Sequence, residues 1–386
     1  MSQIDHIFLF ISLFLLFFYW GKNYYNIAST LQFWVAASVP IIAFSLIVGS
    51  RYGWGVDYLG YKFKLDNAYT FPEEQVGFRF LNITIRDLGL EYVGGFILYS
   101  LIFIIASFVL LRGFGKSSKY MYFFLILSTL LFVTDFIRQG LAMSFVLLTI
   151  YFLNRKNWIS MALCIIIGAS IHLAIIVSIA FILFFYVFLK RPIHWKITIP
   201  LYIFFAFLFD VSKIGFISSY IESISVWGKF QGYVDNSDKW FGEEAADHDR
   251  FQQGIFALLM SSIHHIAIIY LGYWALKLRK NASIGYIYNL VVFGYVFLRA
   301  VFLFEILKRL AMPLVMFDFI VVGYILYVFI DYLKLLRGKR RLIVQRFVSD
   351  KKLDVQFKLL MGASFIYLFM YWSRFIFLNP DAAFFW

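Results

Sequence analysis

Four groups of ionisable residues stand among apolar residues in this sequence, and their chemistry fits the handling of a charged substrate. Arginine offers a planar fork of N–H donors that matches phosphate oxygens, and histidine or aspartate can accept a proton from a reacting hydroxyl. Charges in or beside lipid are costly, so they usually pair or mark a substrate pathway. The groups are Arg51 to Tyr58, Asp135 to Gln139, His172, and Arg299 with Glu305 to Arg309.

The first two groups also have a purely structural interpretation. Arg51 could pair with Asp57 at a glycine-bearing turn, among aromatic residues that are typical of a membrane interface. Asp135 and Arg138 have the i,i+3 spacing of an ion pair that would only neutralise one helix turn. As functional groups, both arginines would offer forks to phosphate oxygens.

The other two groups leave similar alternatives open. His172 is alone in a long apolar stretch, where a histidine more often forms a structural hydrogen bond than acts in catalysis. Glu305 and Arg309 have the i,i+4 spacing of a plain ion pair. Arg299 has no neutralising neighbour in the sequence, so it needs a partner from another helix or an anionic ligand.

Metal chemistry is not indicated by the remaining candidates. His264 and His265 are adjacent, so a helix would point them about 100° apart, which is unsuited to one shared metal. The acidic stretch 235–249 lacks the glycine and the alternating oxygen ligands of a calcium loop. Cys164 is the single cysteine, which excludes intrachain disulfides and thiolate cages. The sequence therefore predicts no metal and no other cofactor.

A membrane helix bundle must position these residues. Of the 386 residues, 62% are hydrophobic and 15% charged, with a mean hydropathy of +0.80, whereas soluble domains have about 45 to 50% apolar and about 25% charged residues. The sequence predicts an all-α, single-domain bundle of about twelve transmembrane helices. The first run is interpreted as a retained helix rather than a signal peptide. The predicted spans are 4–20, 31–49, 92–111, 120–135, 139–153, 159–169, 171–189, 197–209, 254–276, 284–304, 311–333 and 358–378.

The basic residues predict how the bundle is oriented. The net charge of +13 could suggest nucleic acid, but lysines and arginines form short clusters between apolar runs, which is typical of membrane topology. If 159–189 forms two helices that turn near 168–172, every cluster falls on one side, the expected cytoplasmic side. Both termini and two large loops, about 50–91 and 210–253, are then expected outside, and a basic loop of about 334–358 inside.

Four separated motifs resemble the EpsG-type branch of bacterial polysaccharide polymerases, which are related in role to the Wzy O-antigen polymerases. Where the family often has a small polar residue before the loop aspartate, this chain has Val56, a departure that leaves Asp57 in place. The motifs are Arg51-Tyr52-Gly53-Trp54-Gly55-Val56-Asp57-Tyr58 followed by Tyr61, Ile137-Arg138-Gln139-Gly140-Leu141-Ala142, Ala169-Ser170-Ile171-His172, and Lys308-Arg309-Leu310.

The resemblance implies a membrane glycosyltransferase of the GT-C-like type at the outer face of the bacterial cytoplasmic membrane. Its expected partners are lipid-pyrophosphate-linked oligosaccharide donor and acceptor, membrane lipids and a chain-length regulator protein, with no nucleic acid. His172 or Asp57 is then the expected proton acceptor, since spacing does not rank them. The expected pyrophosphate ligands are Arg51, Arg138, Arg309 and Arg299, and the sugar-binding or supporting residues Tyr58, Gln139, Arg79, Arg86 and Glu305.

Two other functions would also use these residues. A transporter or flippase of lipid-linked oligosaccharide would need arginines for a moving pyrophosphate, but it predicts charges spread through the middle of the membrane, whereas here they gather towards the outer edge. A membrane acyltransferase acting on surface glycan would need a catalytic histidine within reach of a cytoplasmic acyl donor, and the predicted topology places His172 at the outer end.

Overall fold

The computed structural model describes residues 3–51, 57–71, 75–209, 255–302 and 305–337, and every regular element in these ranges is helical. The predicted all-α class is therefore confirmed for this part of the chain. The α-helices are α1 (Gln3–Tyr24), α2 (Thr30–Gly49), α3 (Tyr58–Asp66), α4 (Val76–Asp87), α5 (Tyr92–Gly113), α6 (Met121–Thr134), α7 (Ile137–Asn154), α8 (Trp158–Ile171), α9 (Ile175–Phe188), α10 (Trp195–Ile203), α11 (Ile255–Leu278), α12 (Ala282–Ala300), α13 (Glu305–Val315) and α14 (Asp318–Arg337).

The described residues contain six helices that are long and apolar enough to cross a membrane, at 30–49, 92–113, 137–154, 258–278, 282–300 and 307–332. Four shorter apolar helices lie at 8–24, 158–171, 175–188 and 195–208. The chain is thus a multi-pass membrane protein by length and composition. The structure does not reach the expected number of about twelve spans, and the predicted span at 358–378 and the predicted loop at 210–253 lie outside the described residues.

The long apolar stretch 159–189 forms two helices, as the charge pattern predicts. Helix α8 ends at Ile171 and α9 begins at Ile175, so the break falls at the C-terminal edge of the predicted turn. The described residues of the predicted outer loop 50–91 contain two short helices, α3 and α4. Helix α4 has a buried face, which includes Phe78 and Ile85, and this amphipathic pattern explains why a scan for apolar runs does not find it.

The helices meet at two ends with different polar chemistry. At one end, Arg279 pairs with Asp331 at 2.8 Å, and Asn289 Nδ2 donates to the carbonyl of Arg191 at 2.8 Å. We call this the basic end, because it holds the connections 113–120, 154–158, 188–195 and 278–282 with their lysines and arginines. At the opposite end, the site end, Gln139 Nε2 donates to the carbonyl of Arg309 at 2.9 Å.

Helix N-termini are capped differently at the two ends. At the basic end, the N-cap side chains of α2, α8, α10 and α12 each accept a backbone N–H: Ser29, Asn157, His194 and Asn281. At the site end, the N-cap residues of α4, α5, α7 and α9 make no such bond. The first N–H groups of a helix carry a partial positive charge, so the site end offers uncapped helix starts that favour an anion.

Which end faces the cytoplasm is a prediction that reporter fusions test. Reporters fused after Lys119, Lys196, Lys280 and Arg341 should report cytoplasm, and fusions within 60–80 or 230–245 should report the outside, because basic clusters are retained on the cytoplasmic side. A cytoplasmic signal from a fusion within 60–80 would contradict this orientation.

Candidate active site

A two-residue hinge between α6 and α7 forms the floor of the site. Helix α6 ends at Thr134 and α7 begins at Ile137, and the N–H of Gly140 bonds the carbonyl of Phe136 at 2.6 Å. A Cβ at Gly140 would collide with the carbonyl oxygen of Phe132, so only glycine lets the two helices approach this closely. The tight hinge puts Arg138 in the first turn of α7.

Arg138 presents a guanidinium that no carboxylate neutralises in the described part of the chain. The Cζ atom of Arg138 lies 5.9 Å from the ring centroid of Phe78 in α4. Its Nε is buried and has no hydrogen-bond partner among the described residues. The structural alternative of an ion pair with Asp135 is therefore wrong, because Asp135 acts on a different arginine, Arg51. A half-buried cation with an unused donor is suited to an anionic ligand.

Arg51, predicted to bind pyrophosphate, is enclosed beside the hinge and donates to backbone carbonyls. The side chain is only 2% exposed. Its Nη1 donates to the carbonyl of Val48 at 2.5 Å and its Nη2 to the carbonyl of Thr134 at 3.0 Å. Burial lowers the pKa of Arg51 to about 10, and the charge of Asp135 opposes that shift. Arg51 therefore stays protonated and ties the end of α2 to the hinge.

Replacing Arg51 with alanine should destabilise the fold, because two buried carbonyls would lose their donor and Asp135 would lose a nearby positive charge. Breaking a buried charged interaction costs about 3 kcal/mol or more. We expect a lower melting temperature and poor recovery of monodisperse protein in detergent. Arg112→Ala is the matched control, since its Nη2 bonds the exposed hydroxyl of Thr30 at 2.9 Å, and it should melt close to the wild type. Equal melting temperatures for the two variants would contradict the bracing role.

His172 lies in the connection between α8 and α9, beside α4. The N–H of Leu173 donates to Oε1 of Gln75 at 3.2 Å, and a Cβ at Gly77 would collide with the side chain of Ser170, so this turn packs directly on the start of α4. Nδ1 of His172 is buried and has no hydrogen-bond partner among the described residues. The structural interpretation of a hydrogen-bonded Nδ1 is therefore not supported.

The electrostatics of His172 connect it to two arginines. Burial, followed by the charges of Arg138 and Arg309, lowers the pKa of His172 to about 4. The imidazole is therefore neutral at pH 7 and able to accept a proton. A charge shifts the pKa of a group only when it lies near that group, so Arg138 and Arg309 lie near His172. The three residues belong to separate sequence motifs.

Arg309 comes to the site on α13. The bond from Gln139 Nε2 to the carbonyl of Arg309 ties α13 to the start of α7, and the Cζ of Arg309 lies 5.6 Å from the ring centroid of Phe136 in the hinge. Gln139, predicted as a sugar-binding or supporting residue, thus positions a backbone segment. The side chain of Glu305, at the start of α13, lies outside the described residues, and so does its predicted pair with Arg309.

Tyr61 is a member of this group that the predicted site omitted. Its phenol lies close to the start of α7, because the charge and the backbone of Arg138 both act on it. Burial raises the pKa of Tyr61, the charges of Arg138 and Arg309 lower it, and that of Asp57 raises it, so the phenol stays protonated. Asp57 precedes Tyr61 by one turn, with the N–H of Tyr61 on the carbonyl of Asp57 at 3.0 Å.

The other predicted supporting residues have structural roles or lie apart. Tyr58 is 1% exposed and packs on Phe96 at 5.3 Å, so its ring presents no face to a sugar. Arg86 is part of a surface ion pair with Asp66 at 3.9 Å. Arg79, in α4 next to Phe78, has a buried Nε without a hydrogen-bond partner among the described residues, so it keeps an unused donor.

Arg299 belongs to a second polar cluster, formed by α10, α11 and α12. Its Nε donates to the hydroxyl of Tyr202 at 3.1 Å, and its Nη2 donates to the hydroxyl of Ser261. The Tyr202 hydroxyl also lies 2.9 Å from Nδ1 of His265. Hydroxyl groups from other helices thus solvate the guanidinium that has no neutralising neighbour in the sequence, and its predicted role with pyrophosphate is not supported by a shared contact.

We call Arg138, Arg309, His172, Tyr61 and Asp57 the hinge cluster. It combines two cations, a neutral imidazole, a protonated phenol and a carboxylate around the start of one helix. Guanidinium groups and helix N–H groups stabilise developing negative charge, and a neutral imidazole accepts a proton. In the described residues, no three His, Cys, Asp or Glu side chains are grouped to hold a metal ion. This chemistry suits the departure of an anionic leaving group.

Comparison with known proteins gives one family. The sequence model of the EpsG family matches residues 34–348, a stretch that contains the whole hinge cluster. No curated protein and no solved structure matches this chain.

Proposed function

Because the chain belongs to the EpsG family, a family of Wzy-like polysaccharide polymerases, we propose that it joins polyprenyl-pyrophosphate-linked oligosaccharide repeat units into polysaccharide. The reaction takes place at the outer face of the bacterial cytoplasmic membrane and needs neither a metal ion nor a nucleotide. The observation that carries this proposal is the meeting of α4, α7, α13 and the α8–α9 connection. Arg138 lies 5.9 Å from the ring of Phe78 in α4, and the turn that holds His172 packs on the start of α4. Gln139 bonds the carbonyl of Arg309.

The reaction requires one bond to form and one to break. The oxygen of an acceptor sugar hydroxyl attacks the anomeric carbon of the donor, and the bond from that carbon to the pyrophosphate breaks. The electron pair leaves with the lipid pyrophosphate, and the role we assign to Arg138 and Arg309 is to stabilise its growing negative charge. The hydroxyl proton passes to His172, which later releases it to water.

Binding of the donor would activate His172. An imidazole with a pKa of about 4 is a weak base at neutral pH. A pyrophosphate between Arg138 and Arg309 offsets their charges, so the pKa of His172 rises towards its ordinary value while the ring stays largely neutral. The base therefore becomes stronger only when a donor is in place, which limits reactions with other electrophiles.

Tyr61 and Asp57 complete the arrangement. The Tyr61 phenol lies beside the first turn of α7 and stays protonated, so its proton is available to a ligand oxygen. Asp57 is the second candidate proton acceptor from the sequence, and as a carboxylate it can also hold an acceptor hydroxyl in line for attack. We assign the proton transfer to His172 because its Nδ1 has no partner among the described residues.

Proteoliposomes separate this function from lipid transport. Purified protein is reconstituted with labelled lipid-pyrophosphate-linked repeat units, and two quantities are measured: the length of the lipid-linked glycan, and the fraction of label that crosses the bilayer. The proposal predicts longer lipid-linked chains. Translocation of repeat units that never lengthen would overturn it in favour of a flippase.

A further inference from the structure

A groove at the basic end, remote from the hinge cluster, has the composition of a lipid-binding site. It lies between the end of α1, the start of α6 and the middle of α14, with a volume of about 330 Å³. We propose that it binds one anionic phospholipid, with the phosphate on two lysines and an acyl chain along an apolar wall. Its lining residues are Phe18, Lys22, Lys119, Tyr120, Phe123, Leu326 and Ile330.

Two glycines fix the shape of this corner. A Cβ at Gly21 would lie 2.7 Å from the carbonyl oxygen of Lys119, and a Cβ at Gly323 would lie 2.7 Å from the backbone N of Met121. Helices α1 and α14 therefore both reach the backbone at the start of α6. These contacts hold α1, α6 and α14 together at fixed points. The larger side chains beside the contact points line the groove.

The wall of the groove is apolar and accessible. Phe18 is 44% exposed, and its ring meets that of Phe123 edge to face at 5.8 Å. Leu326 and Ile330, one turn apart on α14, form the opposite wall and are half-buried. An acyl chain lying here would contact side chains from three helices.

The mouth of the groove is cationic. Lys22 is exposed and makes no ion pair in the described part of the chain. Nζ of Lys119 lies 5.4 Å from the ring centroid of Tyr120. Asp331, which follows Ile330, is paired with Arg279 at 2.8 Å, and its charge also reaches the lining residue Tyr120, so the two lysines act beside one paired carboxylate. Two lysines above an apolar wall complement a lipid phosphate, and basic pockets between transmembrane helices commonly bind anionic headgroups.

Native mass spectrometry of the full-length protein in detergent tests the proposal with phosphatidylglycerol as the probe and phosphatidylcholine as the neutral comparison. We expect phosphatidylglycerol to bind more tightly, and the double variant Lys22→Gln/Lys119→Gln to weaken that binding about tenfold or more, since each basic residue contributes severalfold. The control Lys196→Gln/Lys277→Gln removes the same charge at the same end, outside the groove, and should change binding little. If both double variants weaken phosphatidylglycerol binding equally, the affinity comes from general surface charge, and the proposed binding site is wrong.

A photo-crosslinking residue at Phe123 identifies the occupant. The expected product is the protein plus one lipid, in cells and after addition of phosphatidylglycerol. A crosslink to residues 338–386 of the same chain, or to a second copy, would overturn the proposal by showing another occupant. Glycerol phosphate, which has the headgroup chemistry without acyl chains, should not compete for the site; competition would mean that a free phosphate site is present instead.

Discussion

Arg138→Ala should leave the protein inserted in the membrane and lower the rate of glycan lengthening by about 100-fold or more. Loss of one preorganised donor to developing negative charge typically has an effect of this size. The structural basis is a guanidinium that has no carboxylate partner in the described residues and that influences His172. The measurement is glycan length on gels, in cells that contain equal amounts of each variant.

Arg138→Lys should recover little activity, because a point charge does not reproduce the two parallel bonds of a guanidinium to phosphate oxygens. Arg155→Ala is the matched control. That arginine is exposed at the basic end, 4.7 Å from the ring of Tyr151, and its loss should leave glycan length unchanged. Long glycan in cells that carry only Arg138→Ala would remove Arg138 from the site.

His172→Ala should lower kcat by about 100- to 10,000-fold, the usual contribution of a general base, while the protein still elutes as a monodisperse species. His194→Ala is the control, since His194 lies at the basic end and its Nδ1 accepts the backbone N–H of Lys196 at 3.1 Å. We expect the His194→Ala variant to lose a little stability, because its helix cap is removed, and to keep its kcat. If the His172→Ala variant keeps the wild-type kcat, His172 is not the base, and Asp57 takes that role.

The pH dependence distinguishes a base from a merely structural histidine. The pKa of His172 is lowered to about 4 in the free protein, so kcat/KM should stay level from pH 7 to about pH 5 and fall as the pH approaches 4. The acid limb of kcat should lie at higher pH, because the bound pyrophosphate offsets the charges of Arg138 and Arg309. If kcat and kcat/KM fall at the same acidic pH, binding of the donor does not raise the pKa of His172, and activation by the donor is wrong.

The sequence was most informative where a charge in lipid is costly. Arg138 and His172 stand out because few ionisable residues interrupt the apolar runs, and the structure gives both of them unused polar atoms. Their proximity to Arg309 could not be read from spacing, because it depends on how α7, α8 and α13 pack. The motifs that carry the family resemblance contain all three residues.

The first motif shows that residue type alone does not decide whether a side chain is available to a ligand. Arg51 and Tyr58 have the chemistry of ligand-binding residues, yet Phe96 and Thr134, from other helices, enclose them. Tyr61 belongs to the first family motif and lies one turn after Asp57, but aromatic residues make up 22% of the chain, so its residue type alone did not mark it as a site residue. Side-chain orientation in these cases is set by tertiary packing.

Helix positions were predictable for a different reason. Uniformly apolar runs such as α2 and α5 satisfy their backbone hydrogen bonds only as helices in lipid, so hydropathy finds them. Helix α4 escaped because it is only 12 residues long and two arginines, an asparagine and an aspartate interrupt its apolar residues. The sequence also placed a turn near His172 from charge alone, since a single helix over 159–189 would have put basic clusters on both sides of the membrane.

The most direct test is synthesis by purified protein that receives only lipid-pyrophosphate-linked repeat units, in EDTA and without ATP or nucleotide sugar. The wild type should produce a ladder of longer lipid-linked chains, because arginines stabilise the leaving group and cleavage of the bond between the donor's anomeric carbon and its pyrophosphate supplies the driving force. Arg138→Ala and His172→Ala should yield only the starting material. If EDTA abolishes synthesis by the wild type and a divalent ion restores it, the arginine mechanism is wrong.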